Sequence, residues 1–201
     1  MSISLSLKTW LLKYHPATSW TNEELMLSYA SSGEQWLLSK LYDACGNDLY
    51  HFILTLSDAT LAKDISQLTW LKVIEKKHLY RDTGTFKAWL FTLARNQLID
   101  EFRRNQKWDT GTDIDSIVTN GANETDGADA RDQLFRYNLA LEQLPFAQRE
   151  AFCLQQEMFS LDDIAAITHS NIEAVKSRLR YARDTLREQL KDLSEEHHVE
   201  P

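Results

Sequence analysis

Residues 86–107 (FKAWLFTLARNQLIDEFRRNQK) contain neither glycine nor proline, and their apolar side chains fall on two sides of a helical projection. At about 100° per residue, the two sides form separate apolar stripes. These stripes consist of Phe86, Trp89, Leu90 and Leu93, and of Phe91, Leu98 and Phe102. A surface helix has a single apolar stripe, so this pattern predicts a central helix with neighbours on both sides.

Polar and cationic side chains lie between the two stripes of this predicted helix. They are Thr92, Asn96 and Arg103, with Arg95 nearby. A buried helix that keeps such groups on its remaining face presents them to a binding partner, unless the face is simply solvated. The strip is therefore a candidate binding surface, and a solvated face is the alternative.

The chain as a whole predicts an all-α fold, because strand-like alternation bounded by turn residues is missing. Thr21 and Glu24 fit a capping box, which begins a helix that ends at Gly33. Residues 34–56 predict the next helix, with Gly46 as a candidate break.

The middle of the chain marks a boundary between two helical parts. Asp58 or Thr60 begins a helix that ends near His78, and a polar loop over residues 80–85 (YRDTGT) leads into the central helix. Residues 109–130 are rich in glycine and acid and predict a flexible acidic linker, since they cannot bury enough apolar surface to fold alone. The predicted organisation is an N-terminal extension (1–20), a helical domain (21–108), the linker (109–130), a second helical domain (131–193) and an acidic tail (194–201).

Two short helices joined by a tight turn are predicted in the second domain. Ser160 is a good N-cap for residues 161–168 (LDDIAAIT), and Asn171 is one for residues 172 to about 190. Pro145 fits the first turn of the preceding helix. The pair of helices with its three-residue turn predicts a helix-turn-helix.

The second helix of that pair carries two adjacent stripes with helical spacing. The apolar stripe is Val175, Leu179, Ala182 and Leu186, and the cationic stripe is Lys176, Arg180, Arg183 and Arg187. A recognition helix places its first turns in the major groove of DNA. The predicted base-contacting residues are Glu173, Lys176, Ser177 and Arg180, and the predicted phosphate contacts are Arg178 and Arg183. The alternative is a solvated helix whose cations offset its dipole.

Charge distribution modifies this picture. The formal net charge of −8 argues against simple nucleic-acid affinity of the whole chain. Acidic residues, however, are concentrated in the linker and the tail, whereas basic residues are concentrated on particular helices. Nucleic-acid binding by one face therefore remains compatible with the acidic total.

Other classes of function are disfavoured by the composition. Cys45 and Cys153 are far apart and form no CxxC pair, so we expect reduced thiols in a cytoplasmic protein. No apolar run approaches the ~20 residues of a membrane span, so we expect no membrane insertion. No phosphate-binding loop, zinc-ligand spacing or nucleophile motif is present, so we expect a protein that is not an enzyme and uses no cofactor or metal.

Several ordered segments resemble the extracytoplasmic-function group of bacterial RNA polymerase sigma factors. Residues 62–67 (AKDISQ) resemble its A-E-D-L-x-Q segment, and residues 86–104 resemble its F-x-x-W-L…A-R-N…I-D…R-R run. Four further segments resemble region 4 of that family. They are Leu144-Pro145, Arg149-Glu150, Ile164-Ala165 and residues 175–183 (VKSRLRYAR). The resemblance covers residues 21–193 and implies two helical domains, called region 2 and region 4, on a flexible linker.

The resemblance implies core RNA polymerase, promoter DNA and an anti-sigma factor as partners. The polymerase-facing helix would carry Asp64, Gln67, Leu68 and Trp70. A base flipped out of the minus-ten element would be held by Tyr80, Arg81, Asp82 and Thr83. The separated strand or its flanking phosphates would contact Thr92, Arg95, Asn96, Arg103 and Arg104. The recognition helix would read the minus-thirty-five element.

The chain departs from the family's pattern at Leu68, where glutamate is usual, and at Tyr181, where arginine is usual. For Trp70 and Trp89, packing in the core or on the domain face is the favoured interpretation, and base stacking is the alternative. Two other functions fit parts of the chain. One is a stand-alone helix-turn-helix regulator, which would bind its operator tightly without polymerase, and the other is a protein-binding helical adaptor whose basic helix is a solvated face.

Overall fold

The computed structural model describes residues 20–81, 84–104 and 128–191, with only the backbone for 128–133. The predicted N-terminal extension up to residue 19, the linker up to residue 127 and the acidic tail lie outside these ranges. Within the described ranges all regular structure is helical, which confirms the predicted all-α class. None of the described helices is long and apolar enough to cross a membrane.

The first domain consists of four α-helices and one short 3₁₀ helix. They are α1 (Asn22–Ser32), α2 (Gln35–Leu56), α3 (Ala59–Lys76), the 3₁₀ helix Lys77–Leu79 and α4 (Phe86–Arg104). The predicted capping box is confirmed, because the Thr21 hydroxyl accepts from the Glu24 amide at 3.2 Å while the Glu24 carboxylate accepts from the Thr21 amide at 3.0 Å. Asp58 caps α3 by accepting from the Leu61 amide at 2.9 Å.

The predicted break at Gly46 is wrong. Helix α2 runs through this position without interruption, and Gly46 is buried. The ring of Tyr42 lies 3.4 Å from the place that a Cβ of Gly46 would occupy. Packing of this ring over the bare backbone outweighs the low helix propensity of glycine, which amounts to about 1 kcal/mol.

Helix α4 is central, as the two-stripe pattern predicts. Phe86 and Leu90 of one stripe are buried, and so are Phe91, Leu98 and Phe102 of the other. In the described structure α4 contacts α1, α2 and α3 of its own domain and also a helix of the second domain. The second apolar stripe therefore exists because the second domain packs on it.

The second domain contains the remaining four helices. They are α5 (Ala128–Glu142), α6 (Phe146–Gln156), α7 (Leu161–Thr168) and α8 (Ile172–Gln189). Helix α5 begins three residues before Arg131, the position predicted from the sequence, and Pro145 is the N-cap of α6. Ser160 and Asn171 cap α7 and α8 with their side chains, and His169 turns the chain between them with φ 52°. The predicted helix-turn-helix is therefore present.

The two domains pack against each other and share one continuous apolar core. Helices α2 and α4 of the first domain contact α6 and α7 of the second. Two aromatic pairs cross the interface, with ring centroids 5.0 Å apart for Phe91 and Phe159 and 5.9 Å apart for Phe102 and Phe146. The polar strip of α4 consequently lies at the edge of an interdomain contact.

Candidate nucleic-acid interface

The C-terminal half of α4 keeps part of its polar strip in solvent. Asn96, Arg103 and Arg104 are exposed, and Thr92 is half-buried with its hydroxyl donating to the carbonyl of Ala88. Arg103 lies 3.8 Å from Asp100, and Arg104 lies 2.9 Å from Glu101. Exposed i,i+3 pairs of this kind contribute little, about 0–1 kcal/mol. Both guanidinium groups can therefore exchange these carboxylates for phosphate.

Arg95 occupies a different environment from its neighbours on the strip. Its side chain is 6% exposed and forms a bidentate ion pair with Glu150 of α6, whose side chain is 0% exposed. The Nε atom donates to Oε1 at 2.7 Å and an Nη atom donates to Oε2 at 3.3 Å. The contact of Arg95 with DNA stays a prediction, and in this arrangement the second domain covers the side chain.

Burial raises the pKa of Glu150, and the adjacent Arg95 guanidinium opposes that shift. The nearby charge of Arg178 on α8 opposes it as well. The carboxylate of Glu150 thus depends on cations around it for its charged state, since the apolar surroundings disfavour a bare charge. Arg95 is the cation that contacts it directly.

A second ion pair crosses the interface close to the first turn of α4. The Nζ atom of Lys87 lies 2.7 Å from Asp48 of its own domain and 2.7 Å from Glu157 at the end of α6. Burial alone would lower the pKa of Lys87, but the hydrogen bonds that its ammonium donates to the two carboxylates, together with their charges, outweigh burial, and the pKa lies above its ordinary value. The cation therefore joins the two domains as a charged group.

A third polar contact connects the strip to the turn of the helix-turn-helix. The side-chain oxygen of Asn96 lies 3.3 Å from Nε2 of His169. Two members of the predicted strand-binding strip, Arg95 and Asn96, thus contact the second domain. Sequence reasoning missed the partners Lys87, Glu157 and His169. It also missed the role of Glu150 as the partner of Arg95, although one signal was available. Arg149 and Glu150 are charged residues that interrupt the apolar residues of α6.

The loop predicted to hold a flipped base is described only in part. Asp82 and Thr83 lie outside the described residues. Tyr80 is buried, with its ring packed on Phe86 and Trp89, and its contact with a flipped base stays a prediction. Arg81 is exposed, and its guanidinium donates to the carbonyl oxygens of His78 and Tyr80.

The four predicted polymerase contacts on α3 fall into two groups, three on its outer face and one in the core. Asp64, Gln67 and Leu68 are exposed on the outer face. Trp70 is 7% exposed and its ring lies 5.2 Å from that of Tyr42, so it packs in the core, and its contact with polymerase stays a prediction. The exposed face also includes Leu71 and Ile74, which sequence reasoning missed. The available signal was their spacing, because Leu68, Leu71 and Ile74 follow one another at intervals of three residues and so lie on one face of the helix.

The two stripes of α8 are arranged as predicted. All four residues of the apolar stripe are buried, and all four of the cationic stripe are exposed. The first turns of α8 present Glu173, Lys176, Ser177 and Arg180 to solvent, with Arg178 half-buried. Lys176 pairs with Glu173 at 2.8 Å, and the Arg180 guanidinium lies 4.9 Å from the ring centre of Tyr181.

Arg183 is exposed on the last turns of the cationic stripe, where its guanidinium donates to the Gln155 side chain of α6. Tyr181, which departs from the family's pattern, is also exposed and supports Arg180 through its ring. Among the described residues, no cluster of three or more histidine, cysteine, aspartate or glutamate side chains is placed to hold a metal ion.

Comparison with family models assigns both domains. The model described as Sigma-70 region 2 matches residues 41–108, and the one described as Sigma-70, region 4 matches residues 134–186. The chain is 31% identical over 137 residues to the ECF RNA polymerase sigma factor EcfG of Rhodopseudomonas palustris, covering 67% of this chain and 75% of that protein. It is 32% identical over 172 residues to SigL of Mycobacterium tuberculosis, covering 83% and 96%.

Solved structures show the same likeness. The chain superposes on the sigma factor RpoE of Bartonella quintana, crystallised with the anti-sigma factor NepR, with a TM-score of 0.60 and 31% identity over 76% of this chain and 96% of that one. It also superposes on CnrH, solved with the cytosolic domain of CnrY, with a TM-score of 0.63 and 23% identity, over 86% and 99% of the two chains. The second match shows the shared fold.

Proposed function

Because the chain belongs to the extracytoplasmic-function group of RNA polymerase sigma factors, it binds core polymerase and directs it to promoters, and we propose how its residues divide that work. The observation that supports the division is the coincidence of the two family matches with the two helical domains. Region 2 is the domain of α1 to α4, and region 4 is the domain of α5 to α8.

The first domain melts the minus-ten element in this proposal. Thr92, Asn96, Arg103 and Arg104 line one side of α4 and hold the separated strand through its phosphates and base edges, and Arg95 joins them once it is uncovered. Arg81, Asp82 and Thr83 precede α4 and form the pocket for a flipped base. Extruding a base costs a few kcal/mol, which pocket contacts offset.

The second domain reads the minus-thirty-five element. Glu173, Lys176, Ser177 and Arg180 are exposed on the first turns of α8, where a recognition helix contacts base edges. Arg178, within the same turns, and Arg183, one turn further along, contact phosphates. The ion pair between Glu173 and Lys176 is exposed and easily exchanged for contacts with bases.

The outer face of α3 binds polymerase. Asp64 and Gln67 supply polar contacts, while Leu68, Leu71 and Ile74 supply an apolar centre, as stable interfaces generally require. Leu68 replaces the usual glutamate, so this contact relies more on apolar burial than the family's pattern implies. Since bacterial polymerase works in the cytoplasm, the protein acts there as well.

An anti-sigma factor is the proposed regulator. The structural relative from Bartonella quintana, at 31% identity, was solved in complex with such a factor. Exposed apolar residues of this chain, on α3 and on α5 at Leu134 and Phe135, offer surfaces for one. Affinity purification of the tagged chain from its own cells, followed by mass spectrometry, tests this partner.

Run-off transcription tests the function itself. Purified chain added to core polymerase is expected to give a transcript from a promoter identified by transcript sequencing after overexpression. Failure to bind core polymerase in a pull-down would overturn the proposal. Tight, salt-dependent binding of the isolated chain to duplex promoter DNA, without any effect on polymerase, would indicate a stand-alone regulator instead.

A further inference from the structure

The second domain covers part of the strand-binding strip on α4, and we propose that this closed arrangement is an autoinhibited state in which Glu150 occupies the place of a promoter phosphate. The inference rests on the proposed role of the strip in melting DNA. It adds a means of regulation that lies within the chain, separate from any protein regulator.

Occupation of the strip is direct. Arg95 is enclosed between α4 and α6 and donates two hydrogen bonds to Glu150. Asn96, one residue further on, contacts His169 in the turn of the helix-turn-helix. While α6 and α7 lie against α4, these two side chains are engaged with the second domain, and a DNA strand cannot contact the complete strip.

The geometry of the Arg95–Glu150 pair suits competition with DNA. A carboxylate and a phosphate both offer two oxygens to the planar fork of an arginine, so either can form the same bidentate contact. The Glu150 carboxylate and a backbone phosphate therefore exclude each other at Arg95. DNA binding to the complete strip and domain closure become alternative states of one equilibrium.

Closure is held by the apolar core that the two domains share and by polar contacts at its edge. The contacts that single substitutions can change include the two interdomain ion pairs (Arg95–Glu150 and Lys87–Glu157), the Asn96–His169 contact and the two aromatic pairs described above. Polar groups at the interface regain water when the domains part, which offsets part of the cost of opening. The residues 105–127 join the two domains covalently, which allows separation without dissociation.

Two isosteric substitutions test the proposal in the full-length chain. Glu157→Gln weakens the Lys87 pair at the partly exposed rim, and Glu150→Gln removes the buried carboxylate that faces Arg95. Glu188→Gln is the matched control, because it removes one negative charge from an exposed position of the second domain. None of the three lies in the proposed DNA-binding or polymerase-binding surfaces.

The readouts are the radius of gyration from small-angle X-ray scattering and the Kd for a fluorescent single-stranded oligonucleotide carrying the non-template minus-ten sequence. Weakening one partly exposed ion pair shifts the equilibrium between closed and open forms about fivefold toward the open form. As long as the closed form dominates, the apparent affinity for the oligonucleotide rises by the same factor. We expect Glu157→Gln to bind the oligonucleotide about fivefold more tightly than wild type, Glu150→Gln to exceed that gain, and both to expand. Glu188→Gln is expected to match wild type.

Unchanged scattering and affinity for both interface variants would overturn the autoinhibition. The same result would leave the sigma-factor function standing if these variants still supported run-off transcription with core polymerase. Conversely, expansion of the variants together with a wild-type chain that never binds polymerase would refute the proposed function and leave domain closure as a structural property. Should Glu150→Gln fail to fold, Glu157→Gln with its control decides the question alone.

Discussion

Replacement of Arg95 by methionine is the perturbation that reports most directly on the interdomain contact. Methionine retains the apolar bulk of the side chain and removes the guanidinium. Glu150 then faces α4 as a fully buried carboxylate without its direct partner, although the charge of Arg178 still acts on it. Removing one partner of a buried ion pair typically costs about 3–5 kcal/mol, because the other charge is left uncompensated.

The location of the pair decides where that cost appears. Arg95 and Glu150 belong to different domains, so water can approach Glu150 when α6 leaves α4. The penalty therefore falls on closure and not on the folding of either domain. At about 1.4 kcal/mol per tenfold change, a loss of 3 kcal/mol shifts the closed–open ratio roughly 100-fold toward the open form.

A double-mutant cycle separates this explanation from loss of contact area. Replacing both partners, as Arg95→Met with Glu150→Leu, removes both charges and should restore closure, since apolar replacements of buried pairs are neutral or stabilising by about 1–4 kcal/mol. Fluorescence energy transfer between dyes on Lys40→Cys and Glu188→Cys, both at exposed positions, measures closure. Urea unfolding followed by circular dichroism measures folding in parallel.

The expected result is a fall in transfer efficiency for Arg95→Met, recovery in the double variant and little change in the urea midpoint. A lowered midpoint with unchanged transfer would refute the reasoning. It would mean that the pair stabilises the whole folded chain as one unit, with no separate closing equilibrium.

Four further predictions concern other parts of the molecule. Lys176→Ala with Arg180→Ala should weaken run-off transcription at least tenfold without reducing polymerase binding, because each lost base contact is worth about 1–3 kcal/mol. Burial raises the pKa of the Cys45 thiol to about 11 and of the Cys153 thiol to about 12, so both should react slowly with Ellman's reagent at pH 8 until urea unfolds the chain. By the same shifts, stability should fall as pH rises above the ordinary thiol pKa of 9.0, since only the unfolded chain then loses these protons. Gly33→Ala should lower the free energy of unfolding by about 1–2 kcal/mol, because φ is 73° at this helix cap.

Local signals predicted the helices well. Thr21, Asp58, Ser160 and Asn171 each cap the helix assigned to them, since a capping side chain acts on an amide two or three residues away. The two-sided pattern of α4 also predicted its central position. In these cases the determining interaction lies within one turn or along one helix, where sequence spacing reports it.

Contacts across the domain interface were beyond the reach of spacing. Arg95 and Trp70 were both assigned to binding surfaces, yet one pairs with Glu150 and the other packs on Tyr42. An arginine on a helix has the same helical phase whether it faces water or a carboxylate of another domain. The break at Gly46 was predicted from the low helix propensity of glycine, whereas the packed ring of Tyr42 keeps this position helical. The contacts of Arg95 and Trp70 are made between helices, and the ring over Gly46 comes from Tyr42, one turn earlier on the same helix.

Promoter melting by this chain is tested most directly by permanganate footprinting of a target promoter with core polymerase and the chain. Thymines in the minus-ten element should become reactive with the wild-type chain, and they should stay protected with core polymerase alone. Asn96→Ala and Arg103→Ala should retain polymerase binding and lose most of that reactivity. Wild-type reactivity in both variants would contradict the assignment and leave the strip of α4 as a solvated face.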